Sequence, residues 1–287
     1  MIEMASASTT NVRDMSRWAF TYVGSATLLI DGPGMRLITD PVLDASGVEW
    51  GLSRYVSDPA YRYASSLDPG LTRNQIGDVD LVLLSHDQHR DNFDRAGMDL
   101  ARRAGSVVTT VAGARRLRGK GFENVIGLTP DERIEYACAD GVLGITATPA
   151  RHGHPGTNWL AGDVIGFLLE HPILGRTYIT GDTVWFDGLA AIRRNGPIDH
   201  LLIHLGAARF GRSILRRWMR WSMDGDEAAR LSRMLEAKWI LPIHYEGWSH
   251  YTESRSEISA GFAASGLAER LVWLPRGVRM SVNELGR

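Results

Sequence analysis

The chain has 287 residues, enough for one large layered domain or two small ones. Its 32 Lys and Arg against 33 Asp and Glu leave a net charge of −1, which provides no global attraction for nucleic acid or anionic membranes. The single cysteine, Cys138, excludes an internal disulfide and a thiolate-rich zinc site and suits a reducing compartment. No apolar h-region opens the chain and no run is apolar enough to span a bilayer, so a cytoplasmic protein is expected.

Residues 1–17 are small and polar and predict a flexible N-terminal arm, followed by one domain over residues 18–287. Three short apolar runs come next, Ala19–Val23, Thr27–Ile30 and Met35–Thr39. Gly24-Ser25 and Gly32-Pro33-Gly34 separate them, so they read as a β-meander ending at Asp40-Pro41. Residues 44–78 show little periodicity, with Trp50, Tyr55, Tyr61 and Tyr63 scattered among Gly, Ser and Pro, and read as a long binding or structural loop. Leu81–Leu84 is a buried strand ending at Ser85, and Phe93–Arg103 has helical spacing through Phe93, Ala96 and Leu100. Between them lie His86, Asp87, Gln88, His89, Arg90, Asp91 and Asn92. Imidazole nitrogens and carboxylate oxygens on a loop at the carboxyl end of a strand suit zinc, iron or manganese.

The chain then alternates. Strands are expected at Val107–Thr110, Val125–Leu128, Arg133–Cys138 and Val142–Thr148, with a helix at Ala112–Arg118. Asp163–Glu170 and Thr177–Thr180 read as a hairpin, and residues 187–195 as a short helix. His200–His204 and Trp239–Ile243 are further strands, Glu227–Ala237 is an amphipathic helix, and a helix near 254–265 precedes strands at Leu271–Leu274 and Val278–Val282. Candidate ligands recur at strand ends: His152, with His154 as its rival, then Asp182, then His244. His204 also ends a strand and reads as a hydrogen-bonding core histidine. Arg209–Trp221 has an apolar side (Ile214, Leu215, Trp218, Met219) and a basic one (Arg212, Arg216, Arg217, Arg220). Such a helix packs on a core, meets a lipid surface or holds a substrate phosphate.

The stretch LVLLSHDQHRDNFD resembles the metallo-β-lactamase fold superfamily, whose signature is a strand followed by H-x-H-x-D-H. One extra loop residue aligns His86, His89 and Asp91 with that pattern and leaves Asn92 where the last His belongs. TPARHG, ITGDT and LPIHYEG look like the superfamily's later ligand contexts, in the same order, and the likeness covers roughly residues 19–282. TYVGSATLLIDG and LITDP look closest to the branch of ascorbate-phosphate lactonase-like and N-acylphosphatidylethanolamine phospholipase-like hydrolases. The resemblance implies an α/β fold, a four-layer αββα sandwich, with a metal site between the sheets at one edge. It implies His86, His89 and His152 on one metal, and Asp182 bridging to a second held by Asp91 and His244. Asp91 and Asp182 are then the catalytic carboxylates. It also implies a metal-dependent hydrolase, its metal-bound hydroxide acting on an ester, lactone or phosphodiester. One or two divalent ions are expected, zinc first, with manganese or iron suited to a second site weakened by Asn92. The expected substrate is a small or phospholipid-like anionic molecule, with peripheral membrane contact open and no nucleic-acid partner. A nuclease of the same fold, or a metal-binding protein without catalysis, remain the alternatives.

Overall fold

The computed structural model describes residues 16–51, 62–154, 162–210 and 220–286. Alternation within the apolar runs sets the layers. In β1 (Ala19–Gly24), β2 (Thr27–Gly32) and β3 (Met35–Thr39), Phe20, Leu28, Ile30 and Leu37 enter one core, while Leu29 and Ile38 enter another. Successive side chains on a strand face opposite ways, so this sheet is apolar on both faces. β6 (Leu81–Leu83) repeats the division, with Leu81 and Leu83 on one side and Val82 on the other. With β7 (Ser106–Thr110), β8 (Val125–Leu128) and β15 (Arg279–Ser281) the sheet has the order β15-β1-β2-β3-β6-β7-β8.

The second sheet has six strands. They are β9 (Arg133–Cys138), β10 (Gly141–Pro149), β11 (Ile165–His171), β12 (Gly175–Ile179), β13 (His200–His204) and β14 (Trp239–Ile243), in the order β14-β13-β12-β11-β10-β9. Ile145, Phe167, Leu169, Ile179 and Leu201 share a core with Phe20, Leu28 and Leu37, so the two sheets face each other. Outside the first sheet, α1 (Arg73–Ile76), α2 (Arg95–Ala101) and α3 (Val111–Gly119) pack Ile76, Leu100 and Leu117 against Leu29, Ile38 and Val82. Beside the second sheet, α4 (Gly225–Met234) and α5 (Arg255–Ala264) bury Ala228, Leu231, Ile258 and Phe262. The layers are therefore α, β, β, α, as expected.

Local chemistry fixes the helix starts. Asp94, Thr110, Asp224 and Ser254 each accept a backbone N–H three residues on, and Ser254 forms a capping box with Glu257. Several boundaries differ from the sequence reading. The helix after the histidine loop begins at Arg95, because Asp94 caps it and Phe93 packs below it. The expected irregular stretch contains α1 and a small pair, β4 (Glu49–Gly51) with β5 (Arg62–Ala64). Residues 187–195 form a 3₁₀ helix, and the expected strand at Leu271–Leu274 is a single bridge from Leu271 to Ile240. Residues 1–15, Tyr55, Tyr61, and most of the basic segment including Arg216 and Arg217 lie outside the described residues.

The direction of the strands places the site. β3, β6, β7 and β8 run parallel, as do β12, β13 and β14. β10 shares the direction of β12, since both are antiparallel to β11. Asp40, His86, His152, Asp182 and His244 thus follow carboxyl ends gathered at one edge of the sandwich.

Asp94 locks the histidine loop to that edge. Its Oδ2 accepts from the backbone N–H of Leu43 and Asp44, and its Oδ1 from Gly97. Gly97 is buried, and a Cβ there would run into the Pro41 carbonyl oxygen. Gly97→Ala is predicted to destabilise the protein by about 1–3 kcal/mol through overpacking, read as a lowered urea midpoint. An unchanged midpoint would show that α2 and the Pro41 loop move apart freely.

Candidate metal centre

The loop after β6 turns three kinds of donor to different places. His86 and His89 point inward, where His86 Nε2 lies 3.1 Å from His89 Nδ1. His152, arriving from the end of β10, brings Nε2 to 3.0 Å from the same His89 nitrogen. With Asp182 these residues offer ligand atoms all within 4.8 Å of one another. A tetrahedral ion with bonds of about 2.0–2.1 Å holds its donors roughly 3.4 Å apart, close to these spacings.

Outer contacts set the tautomers. His152 Nδ1 lies 2.7 Å from the Trp221 carbonyl oxygen, which only accepts, so Nδ1 carries the proton and Nε2 keeps its lone pair. His244 Nδ1 likewise donates to the Leu205 carbonyl at 3.2 Å. His86 Nδ1 meets the Ser85 hydroxyl at 2.9 Å. Buried nitrogen lone pairs aimed at one point are costly unless something positive satisfies them. The donor set fits a divalent cation.

A second set adjoins the first. Asp91, Asp182 and His244 form another group within 4.8 Å. His244 Nε2 lies 3.3 Å from Asp91 Oδ2 and 3.3 Å from Asp182 Oδ2, and His86 Nε2 lies 4.0 Å from that Asp182 oxygen. Asp182 therefore borders both groups. Gly181 brings it there: its φ is +62°, and a Cβ would meet the Ile165 carbonyl at 2.6 Å and the Ser85 side chain at 3.1 Å. His244 itself has φ +59° and Asp40 φ +32°. Left-handed backbone at residues other than glycine stores strain, and such strain gathers at functional sites.

The remaining loop residues have other partners. Asp87 is buried and accepts from Arg116 Nε at 2.9 Å. Asn92 donates Nδ2 to Asp182 Oδ1 at 3.2 Å, so it presents an N–H rather than a lone pair to that carboxylate. The sequence reading put Asn92 at the place of the pattern's last histidine; here it hydrogen-bonds Asp182 instead. His152 is buried and His154 exposed, which separates the two rivals. Asp40 accepts the backbone N–H of Ser85 at 2.7 Å and faces His204 Nε2 at 3.4 Å, supporting the loop from below. The sequence reading missed His250, whose Nε2 lies 2.9 Å from Asp91 Oδ2. Its signal was a second histidine six positions past His244 in the aromatic stretch HYEGWSHY. Aromatic rings wall the centre: Trp50 lies 5.4 Å from His89, Trp221 5.5 Å from His152, and Tyr63 4.6 Å from His250.

Burial and the neighbouring imidazoles hold His86 well below its ordinary value, and His89 down to about 3. Burial likewise lowers His152, His204 to about 3 and His200 to about 4. All of these stay uncharged in the folded chain, as metal ligands must be. The unfolded chain takes up these protons below roughly pH 6.5. Their contribution to stability is therefore present above that pH and is lost as pH falls toward the folded values. Other groups run the other way. Burial raises Asp40 to about 7, and the carboxylates of Asp182 and Asp91 outweigh burial to raise His244 to about 9, so its contribution is lost only as pH rises through that value. Burial also raises Asp94 to about 6 and lifts Glu246 and Glu253. In this range the five lowered histidines are opposed by the four raised carboxyls, which offset part of the loss. The metal-free protein is predicted to lose stability between about pH 6.5 and 4.5, each unmatched proton costing about 1.4 kcal/mol per pH unit. Urea midpoints measured across that range check this, and a flat profile would contradict it.

Comparison with known proteins places this geometry. Residues 35–245 match the beta-lactamase superfamily domain. The chain is 24% identical over 264 residues to the UPF0173 protein YddR of Bacillus subtilis, covering 88% of this chain and 95% of that one. It is 29% identical over 196 residues to a UPF0173 metal-dependent hydrolase of Pyrococcus abyssi, covering 63% and 77%. The isothiocyanate hydrolase from Delia radicum gut bacteria has a similar fold, with TM-score 0.75 and 23% identity over 92% of this chain and 98% of that one. A possible metal-dependent hydrolase from Veillonella parvula has TM-score 0.75 and 17% identity, covering 93% and 100%. A family match over most of the sequence, joined to donor sets at the strand ends of an αββα sandwich, shows that the chain belongs to the beta-lactamase superfamily, with the metallo-β-lactamase fold.

Proposed function

We propose that this metal-dependent hydrolase cleaves an ester or lactone of a small molecule. The observation that carries the reading is the pair of buried donor groups that share Asp182. His86, His89 and His152 would hold one divalent ion, and Asp91, Asp182 and His244 a second. The imidazole-rich group suits zinc, and the carboxylate-rich one also suits manganese or iron. When bound, such ions supply Lewis acidity and bring the pKa of water from about 15.7 to about 7.

The chain's own residues do the rest. Burial alone would raise Asp91, but His250 and His244 hold it well below the usual carboxylate range, so it stays ionised. Asp182 is kept in register by Asn92 on one oxygen and faces His244 with the other. The rings of Trp50, Tyr63 and Trp221 exclude water beside the ligands and offer an apolar wall to the substrate's carbon skeleton.

A phosphodiester is the second reading, and Arg151 favours it. A pocket of about 340 Å³ beside the centre is lined by Arg151, His152, Thr110, Thr129 and Phe186. The Arg151 guanidinium lies over the Phe186 ring at 4.7 Å, where it could meet an anionic group. Arg220, expected to help recruit an anionic substrate or lipid, is instead paired with Glu227 at 2.6 Å and with Asp224. The isothiocyanate hydrolase relative adds small cumulated electrophiles to the classes worth testing.

The test is a screen of esters, lactones, phosphodiesters and isothiocyanates with protein purified without chelator, then stripped and reloaded with zinc or manganese. Hydrolysis is expected to vanish on stripping and return on reloading, and His86→Ala is expected to lose both bound metal and hydrolysis. Full activity after stripping, or full metal content and activity in His86→Ala, would overturn the proposal. Selective loss of phosphodiester cleavage in Arg151→Gln would favour the second reading.

A further inference from the structure

The hairpin of β4 and β5 stands against the centre. Trp50 and Tyr63 are directly opposite each other across it, so their side chains share one face. The Trp50 ring lies 5.1 Å from Tyr63 and 5.4 Å from His89. The Tyr63 ring lies 4.6 Å from His250, whose Nε2 meets Asp91 at 2.9 Å. One residue of the pair thus borders the imidazole-rich donor group and the other the carboxylate-rich one.

The polar end of Tyr63 has no task within the fold. Tyr63 is 4% exposed, and its hydroxyl is buried with no hydrogen-bond partner among the described residues. A buried tyrosine usually satisfies its O–H, and an unsatisfied one costs stability that phenylalanine would not. The other buried phenols have somewhere to turn. Tyr251 meets the Ser25 hydroxyl at 2.9 Å, and Tyr22, Tyr136 and Tyr178 have Glu246, Ser106 and Thr148 at hand. Tyr63 also lies outside both sheet cores, with Trp50, Phe210 and His250 as its ring neighbours. Asp91 is the charge that acts on its hydroxyl, and together with burial it keeps the proton in place well above the ordinary phenol range.

We propose that the Tyr63 hydroxyl is a catalytic donor, kept free for the reacting oxygen of the substrate. The inference rests on the ester or lactone reading above. When hydroxide adds to the carbonyl carbon, the π pair of the C=O bond moves onto its oxygen. Tyr63 O–H donates a hydrogen bond to that growing negative charge. The pair returns as the bond to the leaving oxygen breaks, and the leaving oxygen takes the proton of the added hydroxide. Tyr63 keeps its own proton throughout. Such a donor acts best when it is fixed beforehand. Here Ser65 N–H to Val48 O at 2.9 Å closes the hairpin, and Ser66 N–H to Gly247 O at 2.8 Å and Ser249 N–H to Ala64 O at 3.1 Å tie it to the loop after β14. Those ties hold Tyr63 in register with His250 and Asp91.

The test compares native protein with Tyr63→Phe, which keeps the ring and removes only the hydroxyl. Both are reloaded with zinc and given the best-cleaved ester or lactone of the screen. In Tyr63→Phe, kcat and kcat/KM are expected to fall together by about 100-fold or more, the range for losing one oxyanion donor, with KM nearly unchanged. Zinc content is expected to stay at the native level. The urea midpoint is expected to stay or rise, because the lost hydroxyl had no partner. Butylboronic acid takes up hydroxide to form a tetrahedral anion, and its calorimetric affinity is expected to weaken roughly tenfold or more. A native kcat in Tyr63→Phe would overturn the inference and leave the hydrolase standing. So would zinc content or a urea midpoint that falls in step with kcat, since the phenol would then support the fold instead. Native protein that cleaves no ester or lactone in the screen would overturn the proposed function and this inference with it.

Discussion

Uncharged imidazole nitrogens forced toward one point are the constraint on which the rest depends. His86 and His152 bring Nε2 to 3.1 and 3.0 Å from His89 Nδ1 inside the protein. Burial and mutual repulsion keep protons off them, and the Trp221 carbonyl fixes which His152 nitrogen faces inward. Such a cluster opposes folding unless a cation satisfies it. The two-sheet core supplies the rigidity that holds it in place.

The sandwich meets that demand by ending its strands in awkward backbone. Asp40 and His244 carry positive φ, as do Ser25 and Ala207 beside them. Hydrogen bonds between separate turns over-determine them: His244 N–H to Ser25 O at 2.6 Å, Ser85 N–H to Asp40 Oδ1 at 2.7 Å, and the Ser25 hydroxyl to the Asp91 carbonyl at 2.8 Å. The first joins the two sheets and the others tie the loop after β6 to the first sheet's meander. The early strands thereby position the candidate ligands of the loop after β6 and His244. The same logic extends outward to Asp94, whose two oxygens tie the histidine loop's helix to the segment after β3.

Much of this was legible in the sequence, because buried strands announce themselves as short apolar runs and because the candidate ligands follow them directly. Leu81–Leu84 before His86 and Trp239–Ile243 before His244 are of this kind. What stayed hidden depended on contacts between distant segments. Asn92 stands at a ligand's place in the pattern, and only its 3.2 Å donation to Asp182 shows it turned to another task. His250 sits in no recognisable motif, and packing by Tyr63 and Phe210 brings it to Asp91. Arg220 reads as a free charge on a basic stripe, and its acidic partners Asp224 and Glu227 lie only four and seven residues on, at the start of α4.

The central claim is that the histidine-rich corner, rather than any other group of donors in the chain, is built for metal. Another cluster of similar composition exists, Cys138 with Asp140 and His171. There His171 Nδ1 accepts the backbone N–H groups of Ile173 and Leu174, so the proton lies on Nε2, which faces Asp140 at 3.3 Å. That imidazole has no lone pair left to offer an ion. The two clusters can be told apart by anomalous diffraction at metal absorption edges from crystals of protein purified without chelator. The account predicts anomalous density among His86, His89, His152 and Asp182. Density at Cys138 and His171 with none at the histidine corner would contradict it.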